Sequence, residues 1–529
     1  MNIAAALPAM ARRQPDARAI VVPGGKFITY AELDRQSDAI AHGLANIGIT
    51  RGKKAVLMVK PSLELFTLTF ALFKAGIVPV MIDPGLGVKN VGPCLAAVEP
   101  DAFIGISAAH VARMIFGWAK GATLVTVGRR LLWGGHSLAS LLSAGGGPAL
   151  APTRSDELAA ILFTSGSTGV PKGAEYQHGH FVAQVEMIRE LYDIRPGEID
   201  LPTFPLFALF DPALGMTTII PSMDASRPAK VNPELIFQAI AEHGVTNMFG
   251  SPALLDRVSR AALAKGVKLP TLTRVISAGA PVTSAILERV TQMLPESAEI
   301  HTPYGATEAL PVATVSSRYL LGEARARTRE GAGVCVGKPR QKVSIIGISD
   351  EPIARWSDAL LAVPGEIGEI VVRGPSVTQG YYGRPDLTAL AKIAHDDGGP
   401  VSHRMGDLGY FDADGRLWFC GRKSERVVTA DGRLMHTVPT EEVMNAHADV
   451  KRTALVSAGG APVLCVEIDP DRPRRDWAAV ESELRALADQ REITRGITAF
   501  LLHPSFPVDI RHNAKIFRAK LAEWAAIRR

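Results

Sequence analysis

The sequence contains few cysteines, and none of them lie close together. Its four cysteines are Cys94, Cys335, Cys420 and Cys465, and no two of them have the C-x-x-C spacing that is typical of zinc sites and redox centres. This pattern excludes a disulfide-rich scaffold and argues against a structural zinc site. We expect four buried, reduced thiols and a cytoplasmic protein.

A long, uninterrupted apolar run is also missing. The most apolar window, residues 65–82, is broken by Lys74, Gly76 and Pro79, whereas a membrane-spanning helix needs about 20 mostly apolar residues. The window therefore predicts a core helix followed by a core strand. The first twenty residues lack a basic stretch followed by an apolar one, so we expect no signal peptide.

Blocks of like charge are absent as well. The 58 Lys and Arg residues and the 53 Asp and Glu residues give a net charge of +5 that is spread along the chain. A nucleic-acid-binding protein typically gathers its basic residues on one face, so no nucleic-acid partner is expected. A chain of 529 residues that is 47% hydrophobic indicates a globular protein of two or three domains.

The order of predicted elements is that of an α/β protein. Thr29 and Glu32 have the spacing of a capping box, which opens a helix, and strand 55–60, helix 62–75 and strand 77–83 follow. A strand, helix and strand within about thirty residues indicate a parallel βαβ unit. The same alternation continues to about residue 280, so we expect parallel-rich sheets packed by helices. Hairpins are expected at 365–377 and 408–421.

The segment TSGSTGVPKG follows the apolar residues 161–163. Small residues allow backbone N–H groups to approach an anion, and hydroxyl groups and Lys172 add further donors, so the segment is expected to be a loop that holds polyphosphate. It is not a P-loop, in which the lysine follows the last glycine directly, because Val170 and Pro171 separate Gly169 from Lys172.

Four further segments contain polar residues or small residues that leave the backbone accessible. They are SAGAP at 277–281, YGATE at 304–308, GDLGYFDADGRLWFCGR at 406–422 and NAKI at 513–516. With TSGSTGVPKG they occur in the order of the signature motifs of the adenylate-forming superfamily. The sequence therefore resembles that superfamily, which includes acyl- and aryl-CoA ligases, peptide-synthetase adenylation domains and luciferases. The resemblance covers nearly the whole chain.

The resemblance implies a site that splits ATP to AMP and pyrophosphate. Thr307 would bind the α-phosphate, Tyr304 would stack on the adenine, and Asp407, with Arg422 nearby, would accept the ribose hydroxyls. Glu308 would hold Mg²⁺, which prefers carboxylate oxygen. The remaining nucleotide-binding residues would be Thr164, Ser165, Gly166, Ser167, Thr168, Gly169 and Lys172 at the phosphates, Gly279, Ala280 and Pro281 at the adenine, and Gly305 and Ala306 beside Thr307.

Lys515 is the expected catalytic lysine, acting with Thr307, Glu308 and Lys172. A lysine that bridges the acyl and phosphate oxygens stabilises negative charge only as it develops in the transition state. Ala514 stands where the superfamily has a glycine. The resemblance also implies the domain organisation: a large N-terminal domain, residues 1–422 with a hairpin-rich part from about 330, and a small mobile α+β domain, residues 423–529, with its hinge at Ser424.

Two features bear on the acyl substrate. Phe204, Phe207, Phe210, Met248 and Phe249 stand where the superfamily builds its acyl pocket, and they suit an alkyl chain. After the hinge, Gly432 and Pro439 are two residues further apart than in CoA ligases. His436 lies in that stretch. It could act as a base, but we interpret it as a surface histidine.

These features are similar to those of the β-lactone synthetases of bacterial olefin biosynthesis, which segments 60–85 and 117–135 also resemble. The substrate would be a 2-alkyl-3-hydroxyalkanoic acid, whose hydroxyl displaces AMP and closes a β-lactone. The resemblance leaves open a complex with other lipid-pathway enzymes. The alternatives are a medium- or long-chain acyl-CoA ligase and a non-catalytic scaffold in a lipid-synthesis complex.

Overall fold

A computed structural model describes residues 1–82, 86–165, 171–508 and 516–528, without the side chains of residues 164 and 165. The strands are β1 Arg18–Val21, β2 Phe27–Thr29, β3 Lys54–Met58, β4 Val78–Ile82, β5 Ala102–Ile106, β6 Thr123–Val127, β7 His136–Ser137, β8 Leu158–Ser165, β9 Pro171–Gln177, β10 Ile199–Pro202, β11 Thr217–Ile219, β12 Asn247–Phe249, β13 Arg274–Ile276, β14 Glu299–Ala306, β15 Ala309–Ser316, β16 Val334–Pro339, β17 Lys342–Ile346, β18 Gly368–Arg373, β19 Lys392–Ile393, β20 Ser402–Phe411, β21 Leu417–Arg422, β22 Val427–Val428, β23 Leu434–Met435, β24 Val450–Ala458, β25 Ala461–Ile468 and β26 Ala499–Leu502.

The helices are α1 Ala6–Arg13, α2 Tyr30–Asn46, α3 Leu63–Ala75, α4 Val88–Val98, α5 Ser107–Phe116, α6 Leu138–Leu142, α7 His178–Tyr192, α8 Pro205–Ala208, α9 Asp211–Leu214, α10 Pro233–His243, α11 Pro252–Lys265, α12 Ser284–Met293, α13 Ser317–Leu321, α14 Glu323–Arg329, α15 Pro385–Ala391, α16 Thr437–Met444, α17 Trp477–Asp489 and α18 Arg518–Arg528.

A seven-stranded sheet contains the predicted βαβ unit. Its order is β7-β6-β5-β3-β4-β8-β9, and every neighbouring pair is parallel except β8 and β9. The predicted capping box opens α2, since Thr29 and Glu32 exchange side-chain and backbone hydrogen bonds. Gly76, in the left-handed conformation at φ +67°, ends α3.

The fourteen-stranded sheet has a parallel half and an antiparallel half. Its order is β17-β18-β20-β21-β16-β15-β14-β13-β12-β10-β11-β1-β2, with β19 paired to β20. Strands β1, β11, β10, β12, β13 and β14 are parallel neighbours, and the antiparallel part begins at β15. The predicted α/β class with parallel-rich sheets is confirmed.

One predicted hairpin is right and the other is wrong. Strands β20 and β21 form the predicted hairpin across 408–421. Residues 365–377 contain one strand, β18, whose antiparallel partners are β17 and β20. The hairpin was predicted because glycines are common in the turns that join two strands. In this segment they lie instead at the entrance and exit of a single central strand.

The described residues between 427 and 528 form two small sheets with apolar cores of their own. Strands β22 and β23 make one sheet, and β24, β25 and β26 make the other. Buried leucines from β24, β25 and α17 fill one core, and β24, β25 and α18 enclose the second. This is an α+β arrangement. The boundary after Arg422 and the mobility of this part stay predictions.

The structure also bears on the predictions about cysteines and membrane spans. All four cysteines are buried and free, as expected. Among the described residues, no helix combines the length and the apolar character that a membrane crossing requires.

Lys74 interrupts the apolar window of residues 65–82. Its side chain is buried in the fold, where it forms ion pairs. The side chain is 1% exposed, and its Nζ lies 2.6 Å from Asp34 Oδ1 and 2.7 Å from Asp38 Oδ1. It also donates to the Asp34 carbonyl at 2.9 Å. Removing one member of a buried ion pair leaves the other charge uncompensated, which costs more than the pair itself contributes. Lys74 therefore ties α3 to α2.

Lys74→Met should lower the free energy of unfolding by about 3 kcal/mol, because Asp34 and Asp38 would lose their shared cation. Urea denaturation measures this loss. Lys53→Met is the matched control: that lysine is 47% exposed and pairs with Asp101 at 2.8 Å, so its loss should be about 0.5 kcal/mol. Equal losses in the two variants would contradict this account.

Candidate nucleotide and acyl site

A cavity of about 1280 Å³ lies at the carboxyl ends of β10, β12, β13 and β14, between the two large sheets. Ligands of parallel α/β sheets bind at this edge. Its walls include residues of β8, α7, the β14–β15 turn and β20. Residues 422–427 and 516–522 close it from the C-terminal part of the chain.

The predicted phosphate loop is part of a hairpin. Strand β8 continues through Ser165 and β9 starts at Pro171. Both ends of the segment that was expected to be a loop are therefore paired as strands. Thr164 and Ser165 end β8, and Gly166, Ser167, Thr168 and Gly169 lie outside the described residues. Lys172 lines the cavity, with its Nζ 5.3 Å from the centre of the Tyr381 ring.

The YGATE segment forms the tight turn between β14 and β15. Thr307 and Glu308 are the two turn residues, and Gly305 and Ala306 precede them at the cavity wall. The Tyr176 hydroxyl donates to the Thr307 carbonyl, and the Tyr381 hydroxyl donates to Glu308 Oε1 at 2.6 Å. These contacts fix the turn against the seven-stranded sheet and against the loop that follows β18.

Glu308 has the properties of a ligand for a hard cation. Its Oε2 atom accepts no hydrogen bond from the described residues, while Oε1 is oriented by Tyr381. The carboxylate lines the cavity. Carboxylate oxygen is the donor that Mg²⁺ prefers, so this residue fits the predicted role.

Behind the turn lies a buried basic pair that the sequence analysis did not identify. Lys392 and His403 are directly opposite on β19 and β20. Lys392 Nζ donates to Thr378 Oγ1 at 3.2 Å, and burial lowers its pKa to about 7, although the Glu308 charge opposes this. His403 Nδ1 faces the Ala391 carbonyl at 3.2 Å, which requires a proton on Nδ1. Neither residue belongs to a recognised motif.

Tyr304, Asp407 and Arg422 form one polar cluster. The Tyr304 hydroxyl donates to Asp407 Oδ2 at 2.7 Å, and Arg422 Nη1 lies 2.8 Å from Oδ1. Tyr304 and Arg422 line the cavity, whereas Asp407 is buried behind them. Burial raises the pKa of Asp407, and both the Arg422 charge and the Tyr304 hydrogen bond oppose this rise. In this conformation Asp407 orients its two neighbours and does not face the cavity.

The SAGAP segment only partly borders the cavity. Gly279, at φ +97°, lines it together with Ala278. Ala280 and Pro281 follow in the same loop but do not line it. Of the three residues expected at the adenine, Gly279 alone borders the cavity, and the adenine contact itself stays a prediction.

Four of the five predicted acyl residues line the cavity: Phe204, Phe207, Phe210 and Phe249. The rings of Phe207 and Phe249 are 4.4 Å apart. The prediction for Met248 is wrong, because it packs in the core on the other face of the sheet. Successive side chains of a strand point to opposite faces, so Asn247 and Phe249 face the cavity and Met248 does not.

A buried carboxyl pair in the cavity wall was also missed. Asp200 on β10 and Asp211 at the start of α9 hydrogen-bond to each other, and Thr218 Oγ1 donates to Asp211 at 2.8 Å. Burial raises the pKa of both carboxyl groups. Two carboxylates this close cannot both stay ionised when buried, so the pair retains a proton near neutral pH. The two residues are eleven apart in sequence, and no motif connects them.

The catalytic-lysine segment and the post-hinge segment are described in part. Lys515 lies outside the described residues. Beside it, Arg518 Nε donates to Glu425 Oε2 at 2.9 Å and Nη2 donates to Glu441 Oε2 at 2.9 Å. The first bond ties the start of α18 to the short helix 423–425, which contains Ser424, and the second ties it to α16.

His436 precedes α16 and is half-buried, so it is less exposed than the interpretation as a surface histidine implies. The residue directly follows β23, whose pairing with β22 places the histidine in a partly buried position. Burial lowers its pKa, and its Nδ1 has no hydrogen-bond partner among the described residues.

Comparison with known proteins decides the family. Residues 7–382 match the family model described as "AMP-binding enzyme". This chain belongs to the AMP-binding enzyme family. It is 52% identical to an olefin β-lactone synthetase of Stenotrophomonas maltophilia, over 99% of this chain and 98% of that one, and 51% identical to one of Xanthomonas campestris, over 100% and 98%.

Solved structures of other enzymes share the fold. The amide bond synthetase McbA of Marinactinospora thermotolerans superposes with a TM-score of 0.80 at 21% identity, over 99% of each chain. The Bacillus subtilis o-succinylbenzoate-CoA synthetase bound to its acyl-adenylate has a TM-score of 0.75 at 20% identity, over 98% of this chain and 97% of that one.

Asp407→Asn should raise the KM for ATP about tenfold, because a neutral amide holds the Arg422 guanidinium and the Tyr304 hydroxyl less firmly than a carboxylate does. In the unsubstituted protein, the KM should rise as the pH falls, since the raised pKa of Asp407 leads to its protonation. Pyrophosphate-exchange kinetics across a pH series measure both effects.

The matched control is Asp414→Asn, in the exposed turn of the same hairpin, which should leave the KM unchanged. A pH dependence that persists unaltered in Asp407→Asn would contradict the assignment.

Proposed function

We propose that this enzyme converts a 2-alkyl-3-hydroxyalkanoic acid and ATP into a β-lactone, AMP and pyrophosphate. Two relatives that align with almost the whole chain, at 51–52% identity, carry the name olefin β-lactone synthetase. The cavity, which has both polar residues and phenylalanines in its wall, is the observation that supports this reaction best.

The volume of the cavity favours a bulky acyl group. Ordinary small-molecule pockets have volumes of about 300–1,000 Å³, and this cavity has about 1280 Å³. One part is polar, with Lys172, Tyr304, Glu308 and Arg422, and another is rich in phenylalanines. We assign the first to the nucleotide and the second to the alkyl chains.

We assign residue roles on the superfamily pattern and on position. Thr307 binds the α-phosphate from the turn, and Tyr304 stacks on the adenine. Arg422, oriented by Asp407, lies at the ribose. Gly279 borders the adenine with Ala280 and Pro281 behind it, and the segment Thr164, Ser165, Gly166, Ser167, Thr168, Gly169 and Lys172 surrounds the β- and γ-phosphates. Glu308 would hold Mg²⁺, which neutralises phosphate charge when bound.

The first step forms an acyl-adenylate. A carboxylate oxygen of the substrate attacks the α-phosphorus, and the bond to pyrophosphate breaks. Negative charge grows on the phosphorus-bound oxygens and on the leaving group, and the ammonium groups of Lys515 and Lys172 stabilise it there. Stabilisation of this kind accelerates the step because it is stronger in the transition state than in the ground state.

The second step closes the ring. The 3-hydroxyl oxygen attacks the activated carbonyl carbon, its proton leaves, and the bond from that carbon to AMP breaks. A four-membered ring is strained, so the step depends on a good leaving group and on the high effective molarity of a tethered nucleophile. No thiol acceptor takes part, in agreement with the longer spacing between Gly432 and Pro439.

Incubation with ATP and a 2-alkyl-3-hydroxyalkanoic acid, without CoA, should give an organic product lighter than the acid by one water, with AMP in equal amount. Mass spectrometry and nucleotide chromatography measure these products. The matched control is the same acid without its hydroxyl, which should form the adenylate and no lactone. CoA-dependent AMP release from plain fatty acids, with no lactone from the hydroxy acid, would favour the acyl-CoA ligase instead.

A further inference from the structure

One stretch of the chain lacks acidic residues altogether. Between Asp101 and Asp156 the sequence contains no Asp or Glu. The same stretch carries five cations: Arg113, Lys120, Arg129, Arg130 and Arg154. No carboxylate within the stretch offsets these cations, so the stretch carries a net positive charge. The segment 257–287 also lacks Asp and Glu, but it is shorter.

The same stretch exposes large apolar side chains. They lie on helix α5 and on the loop 128–135, which we together call the α5 face. Leu132 at the loop tip is 102% exposed, and Ile115 on the helix is 71% exposed. The other members are Val111, Met114, Phe116 and Leu131. A cluster of exposed apolar side chains of this size marks an interaction site.

The helix and the loop form one surface because direct contacts join them. The Ser107 hydroxyl donates to the Arg129 carbonyl at 2.5 Å. The Trp133 ring stacks on His110, with ring centres 5.1 Å apart, and its Nε1 donates to Thr126 Oγ1 at 2.9 Å. The exposed leucines are therefore held beside the exposed residues of α5.

The cations of the α5 face, and Lys120 just after α5, are available to an external partner. Lys120, Arg129 and Arg130 are exposed and Arg113 is half-buried. None of these four forms an ion pair with any residue in the described parts of the chain. Arg129 and Arg130 directly precede the exposed Leu131 and Leu132, so charge and apolar surface meet at the loop tip.

We propose that the α5 face docks on a membrane surface that contains anionic phospholipid. Aliphatic side chains at a loop tip insert at the boundary between headgroups and acyl chains, and flanking cations pair with lipid phosphates. The lack of carboxylates in residues 102–155 favours an anionic surface over a protein partner, because protein surfaces present charges of both signs. Docking of this kind needs no membrane-spanning segment.

The α5 face adjoins a wall of the cavity through α4. A methyl group on Gly92 of α4 would lie 3.1 Å from the Trp118 indole nitrogen, so the segment that follows α5 packs on this helix. Leu86 and Asn90, at the start of α4, line the cavity, and Val88 between them is 54% exposed. Docking would therefore bring one wall of the cavity close to the lipid.

Co-sedimentation with vesicles tests the docking without any reference to the reaction. The unsubstituted protein should bind vesicles of phosphatidylcholine and phosphatidylglycerol in equal parts more tightly than vesicles of phosphatidylcholine alone. R129A/R130A should weaken binding to the anionic vesicles about fivefold for each arginine removed. L131D/L132D should weaken binding further, since it removes the inserted side chains and adds negative charge.

Matched controls keep this test specific. R12A/R13A removes an equally exposed arginine pair on α1, and Val363→Asp alters a side chain that is 62% exposed on another loop. Both controls should bind as the unsubstituted protein does, and thermal unfolding should confirm that every variant is folded. Equal binding to the two kinds of vesicle, or unchanged binding by L131D/L132D, would overturn the proposal. Absence of binding to either kind of vesicle would also overturn it and would favour a protein partner for this face.

Discussion

The β14–β15 turn is the constraint on which the site depends. Thr307 and Glu308 leave the fourteen-stranded sheet at this point, and hydroxyl groups of Tyr176 and Tyr381 hold them. Tyr176 lies on β9 of the seven-stranded sheet, and Thr378 also donates from its backbone to the Glu308 carbonyl at 2.9 Å. The turn thus joins the two large sheets, and the cavity lies in the space between them.

Several polar groups are buried around the turn and in the wall of the cavity. Lys392 and His403 lie behind the turn, Asp407 is enclosed by Tyr304 and Arg422, and Asp200 and Asp211 share a proton in the cavity wall. Each of these groups costs free energy to bury, and each is hydrogen-bonded or paired. Fully partnered polar groups fix one arrangement of side chains, which a site that positions a phosphate, a carboxylate and a hydroxyl requires.

The sequence predicted the parts of the fold that depend on local chemistry. The capping box at Thr29, the end of the helix at Ala75 and the 408–421 hairpin each follow from a few neighbouring residues, and the structure contains all three. The motif residues Lys172, Tyr304, Thr307, Glu308 and Arg422 do line one cavity. Their spacing along the sequence could not predict that they meet in one cavity. We expected this only because the motifs resemble those of a known superfamily.

Features that depend on distant contacts were missed or mistaken. Met248 was expected in the cavity, but the alternation of β12 turns it to the core. The segment 365–377 was expected to pair with itself, but β18 pairs with β17 and β20. No local pattern connects Asp200 with Asp211, or Lys392 with His403, since each pair meets only through tertiary packing.

Oxygen labelling of the substrate tests the central claim, that the carboxylate is activated and the 3-hydroxyl closes the ring. With ¹⁸O in both carboxyl positions, the account predicts one ¹⁸O atom in AMP and one in the lactone carbonyl, while the ring oxygen is unlabelled. Mass spectrometry of AMP and of the lactone measures the distribution. Unlabelled AMP with both ¹⁸O atoms in the lactone would mean that the hydroxyl is activated and displaced by the carboxylate, which would contradict the account.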